Sequence, residues 1–132
     1  MAERLKIGSG SSWEDIVGYS RAVRVGNIIE VAGTTAMDGD TLIGENDVYL
    51  QTQFIFKKIE KALHAAGSSL NDVVRTRMYV RDISQWESIG KAHGEVFRNI
   101  KPVATMVEVR KLIDEKLLIE IEVTAIADSS SL

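Results

Sequence analysis

Cysteine is absent from this 132-residue chain, proline occurs once, histidine twice, and aromatic residues make up 6%. Without cysteine there is no disulfide, no zinc–thiolate site and no thiol nucleophile, a composition that fits a reducing, cytoplasmic setting. Only His64 and His93 are present, with no HxH or HExxH spacing, so neither a metal nor another cofactor is expected. Long apolar runs are missing too. The opening Met-Ala-Glu-Arg-Leu-Lys has no signal-peptide core, and nothing approaches the ~20 apolar residues of a membrane span. A Lys/Arg block is also lacking, and the net charge is -3. A nucleic-acid partner is therefore not expected, since phosphate contacts need concentrated positive charge. The local exception is Arg75, Arg77 and Arg81. Low complexity is confined to Gly8–Ser12 and Ser129–Leu132, read as a flexible entry loop and a frayed end. What is there is 45% apolar, enough for one domain over 1–132 that removes roughly two-thirds of its surface from water.

Leu5 and Ile7 alternate with polar neighbours and predict a short first strand. Arg21–Val25 and Ile28–Ala32 flank Gly26-Asn27, the pattern of a tight hairpin. Thr34–Asp47 reads as a loop with a minor strand at Thr41–Ile43. From Val48 the apolar spacing becomes helical through Leu50, Phe54, Ile55, Ile59, Leu63 and Ala66, with Asp47 as N-cap and Gly67 at the C-terminal stop. Val73–Val80 is a strand by its branched and aromatic residues. Its alternation puts Val74, Thr76, Met78 and Val80 on one face, and Val73, Arg75, Arg77 and Tyr79 on the other. A second helix is expected from a Ser84/Glu87 capping box through Trp86, Ile89, His93, Phe97 and Ile100. Strands over Thr105–Val109 and Leu117–Ala127 follow. The order β-ββ-α-β-α-ββ predicts an α+β fold, a mixed six-stranded sheet with two helices on one face. The other face then exposes Arg75, Arg77, Tyr79, Glu120, Glu122 and Thr124 and needs cover, which self-association supplies most simply.

Each chemical candidate carries a plain alternative. Glu120 and Glu122 point to one side of a strand, as an acid/base pair or as ordinary Ile/Glu alternation. Arg75 and Arg77 suit a carboxylate or strand pairing with those glutamates. His93 on the apolar stripe is a packed histidine or a proton carrier, whereas His64 falls off its stripe and is expected in solvent. Tyr19 gates a pocket or packs at a strand start. Gly33 admits a ligand to the backbone or opens a loop.

Gly18-Tyr-Ser20, Asn27–Gly33, Gln51-Thr52, Ala65–Val74 leading to Val80-Arg-Asp82, and Ile119–Ala127 together resemble the YjgF/Rid (RidA-like, translation-inhibitor-like) family over about Tyr19–Ala127. The resemblance implies a chorismate-mutase-like fold, a homotrimer and small-molecule clefts between subunits. In its deaminating members water converts an amino-acid enamine or imine to a 2-oxo acid and ammonia. The family's pocket tyrosine then corresponds to Tyr19, its backbone-amide glycine to Gly33 and its water-positioning glutamate to Glu120. Its Pro-Ala-Arg-Ser motif falls on Pro102-Val-Ala-Thr105, so Ala104, beside Thr105, stands where the substrate-gripping arginine belongs. A pocket asparagine corresponds to Gly90 and a helix tyrosine to His93. The proline that precedes the tyrosine is missing, and the Arg110–Leu118 connection is one residue longer, with Ile113 in place of Leu-Pro.

Losing such an arginine contact removes roughly 2–5 kcal/mol, so this chain resembles an arginine-lacking branch. The expected function is a trimeric small-metabolite site with imine or enamine deaminase chemistry, altered or lost. Arg77 would replace the charge, His93 move a proton and Glu120 position water. Non-enzymatic binding or a holdase-like role is the alternative; the endoribonuclease and translation-inhibitor label is weakened by the acidic charge.

Overall fold

The computed structural model describes residues 3–128, so Ser129–Leu132, read as a frayed tail, lie outside the described residues. Strands β1 (Arg4–Ile7), β2 (Ala22–Val25) and β3 (Ile28–Thr34) are followed by the small ribbon β4 (Met37–Asp38) and β5 (Thr41–Leu42). Then come helix α1 (Val48–Ala65), β6 (Val73–Val80), helix α2 (Trp86–Phe97), β7 (Val103–Glu108) and β8 (Ile119–Ile126). The main sheet has six strands in the order β1-β2-β3-β8-β6-β7. Only β6 and β7 pair in parallel; the other neighbours are antiparallel. The expected mixed α+β architecture is therefore present.

Local chemistry explains most boundaries. Gly26, at φ 60, makes the β2–β3 turn. The Asp47 carboxylate accepts the Leu50 amide and starts α1. At the other end Gly67 (φ 77) reverses the chain, with Ser68 N–H donating to Leu63 O and Gly67 N–H to His64 O, a Schellman closure. Arg24, 1% exposed, donates from Nη1 to Ala66 O at 2.9 Å and Gly67 O at 3.2 Å. A cation thus stands on the negative end of the helix dipole. Both helices cover one sheet face, and Ile29, Val31, Ile55, Ile59, Ile119 and Ile121 lie in the core between them.

Several expectations fail for identifiable reasons. The stripe of α1 is rotated: Leu50 is 44% exposed while Gln51 is buried, because Gln51 bonds Gly44 O, Lys116 O and Leu118 N–H. Those bonds tie the 110–118 connection to the helix, and Ile113 is left outside. A bulge between Val73 and Arg75 inverts the start of β6, so Val73 is buried and Val74 exposed. The Ser84/Glu87 capping box does not form. Asp82 instead accepts the Ser84 amide and hydroxyl and caps a 3₁₀ turn, so α2 starts at Trp86, which is exposed rather than on the stripe. The helix ends at Phe97, before Ile100. Lys101 takes a left-handed φ of 55 and Pro102 follows, so β7 begins at Val103 on the sheet edge, where a preceding proline does no harm.

Candidate functional site

The uncovered face of the sheet is where the candidate chemistry converges. Alternation along β8 sends Glu120, Glu122 and Thr124 to that face. Opposite them β6 presents Tyr79, Arg77 and Arg75 in register. The two glutamates differ in their partners. Tyr79 donates its hydroxyl to Glu122 Oε1 at 2.6 Å, and this bond is the main cause of the raised Tyr79 pKa. Glu120 accepts no hydrogen bond among the described residues.

Glu120 instead lies across Gly33. Between Val31 and Thr34 the β3–β8 register slips, so Ala32 and Gly33 bulge opposite a single β8 residue. A Cβ built on Gly33 would stand 2.0 Å from Glu120 Oε2 and 3.0 Å from its Cδ. Gly33 does not have a positive φ, so what glycine provides here is room for the close approach of the Glu120 carboxylate, not a special backbone conformation. Burial raises the Glu120 pKa, the Arg21 guanidinium opposes that shift, and Glu122 adds to it. A carboxylate that is half-buried, without side-chain hydrogen bonds and shifted upward is a candidate for proton transfer.

Tyr19 reaches the same place from the entry loop. Ser9 N–H donates to Glu14 Oε1 at 3.1 Å, a short π-type turn spans Glu14–Gly18, and Gly18 at φ 90 releases Tyr19 into extended backbone. Two residues on, Arg21 is pinned by its backbone between Ile7 O and Ala32 N–H. Its Nη1 donates to Gly33 O and to Thr34 Oγ1, both at 3.1 Å, and its Cζ lies 5.8 Å from the Tyr19 ring centroid. Tyr19, Arg21, Gly33 and Glu120 therefore form one cluster within the chain.

Arg21 was absent from the expected site. It reads as the first residue of a hairpin strand, yet spacing contained the signal, since residues 19 and 21 of an extended segment share a face. Arg77, expected to supply the replacement charge, instead pairs across from Glu122 on one side and Thr105 on the other; the cation acting on Glu120 is Arg21.

Ala104 and His93 lie on the opposite side of the sheet. Ala104 is in register with Thr76, which is fully buried and points to the helices. His93 Nε2 is 2.9 Å from Thr76 Oγ1, and its ring packs against Phe56 and Phe97. Burial lowers its pKa. Within one chain the sheet thus separates His93 and Ala104 from Glu120. Gly90 lies on the exposed side of α2, where a Cβ would meet no other part of the chain within 4 Å.

A cavity of about 320 Å³ lined by Met37, Leu42, Asp114 and Lys116 among others, and one of about 190 Å³ between the helices, include none of these candidates. The cluster is an open surface in the isolated chain. Among the described residues no group of three or more His, Asp or Glu could hold a metal ion, and no helix is long and apolar enough to cross a membrane.

The endoribonuclease L-PSP family matches residues 10–127. Rv2704 of Mycobacterium tuberculosis, a solved member of the YjgF/YER057c/UK114 family, has a TM-score of 0.86 and 49% identity, covering 95% of this chain and 100% of that one. The Streptomyces coelicolor protein SCO2049 is 39% identical over 120 residues, 91% of this chain and 90% of its own. The 3-aminoacrylate deaminase RutC of Acinetobacter baylyi is 30% identical over 104 residues, 78% of this chain and 82% of its own.

Proposed function

The chain belongs to the endoribonuclease L-PSP family, the YjgF/RutC/Rid proteins, and on that premise we propose that it is a homotrimer whose inter-subunit clefts bind a small metabolite and hydrolyse an imine or enamine. The observation that carries this reading is the Glu120 carboxylate, free of hydrogen bonds, half-buried and lying across Gly33 beside Tyr19. The 3-aminoacrylate deaminase relative lends the reaction class.

Glu120 accepts a proton from water as the water oxygen bonds to the imine carbon, then gives that proton to the nitrogen. From the resulting carbinolamine it takes the hydroxyl proton and passes it to nitrogen as the C–N bond breaks. Ammonia leaves, the carbonyl forms, and Glu120 is again a carboxylate. An enamine enters the same route by tautomerising, its carbon gaining a proton from solvent and its nitrogen losing one, to give the imine. A positioned acid/base of this kind contributes typically 10²- to 10⁴-fold.

The trimer is supported by the uncovered face, where Ile28, Ile126, Val103 and Val107 remain exposed beside the charged row. A partner pressed there would roof the open cluster and bring another subunit's Ala104 and His93 walls toward Glu120. Ala104 favours a second reading, binding without turnover, because a methyl group stands where the family resemblance implies an arginine.

Ammonia release from 2-aminoacrylate generated in place, and from a panel of neutral and carboxylated imines, tests the first reading. We expect turnover that falls by 10² or more in Glu120→Gln. No turnover on any member, with ligand binding unchanged in Glu120→Ala, would leave only the second. Sedimentation at three times the 14.6 kDa chain mass is expected, and a monomer would refute the assembly.

A further inference from the structure

Arg21 is a cation held only by neutral acceptors. A guanidinium has five N–H donors, and Nη1 uses two of them on Gly33 O and Thr34 Oγ1. The edge formed by Nε and Nη2, the one that grips a carboxylate side-on, remains unused. Nε is buried and has no partner among the described residues. Such a group is an unpaid desolvation that native structures seldom tolerate without a reason.

No ion pair engages Arg21 among the described residues. A second cation adjoins it. Lys58 Nζ donates to Thr35 O and Met37 O, both at 2.8 Å. Its pKa is lowered, first by burial and then by the charge of Arg21. Two positive groups therefore flank the segment that begins at Gly33. The Tyr19 ring, with its centroid 5.8 Å from Cζ, covers the guanidinium and helps fix its plane.

We propose that Arg21 is the anion clamp of this site, gripping the substrate's carboxylate with its Nε/Nη2 edge and so replacing, from the β2–β3 wall, the grip that Ala104 lacks on β7. The inference rests on the proposed small-metabolite site and names its ligand class, a small 2-oxo or 2-imino carboxylate. Because Arg21 and Glu120 meet at Gly33, a carboxylate held on that edge sets the adjoining carbon within reach of the Glu120 side of the cluster. Arg21 is a specificity-determining residue in this account, and it transfers no proton.

The test is binding, which separates this claim from turnover. 2-Oxobutanoate and its methyl ester are titrated into the full-length protein by NMR, for wild type, Arg21→Gln, Arg21→Lys and Glu120→Gln. The wild type is expected to bind the acid at least 10-fold more tightly than the ester. Arg21→Gln should weaken the acid on the order of 10²-fold and leave the ester unchanged. Arg21→Lys keeps the charge without the fork and should fall between the two, which preserves the test if the glutamine variant folds poorly. Glu120→Gln should retain the acid preference. Equal affinity of wild type for acid and ester, no binding of the acid, or a preference that survives in Arg21→Gln would overturn the proposal. Acid binding that depends on Arg21 without turnover of any imine would refute only the hydrolase reading. Turnover of carboxylated imines that is indifferent to Arg21→Gln would refute only the clamp.

Discussion

Gly33→Ala isolates the contact on which the site depends. The added Cβ would lie 2.0 Å from Glu120 Oε2, 3.0 Å from Cδ and 3.4 Å from Cγ. Ordinary non-bonded separation requires the carboxylate to retreat by at least about 1 Å. The obstacle is the far end of a flexible side chain, and Gly33 does not have a positive φ, so the backbone can accept alanine. Stability should therefore change little, with the loss of unfolded-state freedom offsetting the side-chain rearrangement by about 0.4–1 kcal/mol. Catalysis should not be spared, because a displacement of about 1 Å costs on the order of 10²-fold in rate, or about 2.7 kcal/mol in the barrier. A second readout is independent of turnover. A displaced Glu120 is better solvated, so its pKa, raised mainly by burial, should drop toward the ordinary glutamate value in a carboxyl ¹³C titration. An alanine variant with wild-type ammonia release and an unmoved Glu120 titration would refute the reasoning.

Burial lowers the His93 pKa, so the unfolded chain binds its proton more tightly than the folded one. Its neutral form stabilises the fold above the unfolded value of about 6.5, and that stability is lost as pH falls through the lowered folded pKa. Urea unfolding from pH 7.5 down to pH 5 should show wild type losing stability relative to His93→Gln, and parallel curves would contradict this. Arg24→Met removes the donors on Ala66 O and Gly67 O from a fully buried position and should cost about 2–4 kcal/mol in urea unfolding; a loss under 1 kcal/mol would mean the C-terminus of α1 does not depend on it. Ile28→Lys puts charge on the uncovered face and should shift sedimentation from trimer to monomer while far-ultraviolet dichroism stays unchanged. An intact trimer would place the interface elsewhere.

Local rules with one strong residue at the right place were readable from the letters alone. Gly26-Asn27 between two apolar alternations, and Asp47 and Gly67 bracketing a helical stripe, give the hairpin and α1 because each answers a backbone need within a few residues. Failures begin where the answer comes from far along the chain. Gln51 is buried in place of Leu50 because its partners include Lys116 and Leu118, more than sixty residues away. The two bulges, at Val73–Arg75 and Val31–Thr34, arise from the pairing of β8 with both neighbours, and period-two alternation cannot anticipate a slipped residue. Arg24 reads as one more polar letter in a hairpin until α1 ends against it.

The site shows the same division. Tyr19, Gly33 and Glu120 stood out among the letters only as candidates with plain alternatives, the resemblance supplied their roles, and their proximity is visible only in the fold. Arg77 and His93 were plausible as residue types. However, β-strand register sends Arg77 to Glu122, and the sheet itself stands between His93 and Glu120 within a chain. Arg21 was missed because an arginine opening a strand carries no motif; its meaning comes from the Gly33 carbonyl that anchors it.

A crystal structure of the assembled protein with 2-oxobutanoate bound tests the central claim most directly. The account predicts the ligand on the Glu120 face between subunits, its carboxylate at about 3 Å from the Nε/Nη2 edge of Arg21, and its carbonyl carbon within one water of Glu120. A ligand lodged away from Glu120, or an Arg21 edge still unpartnered with the ligand in place, would contradict it.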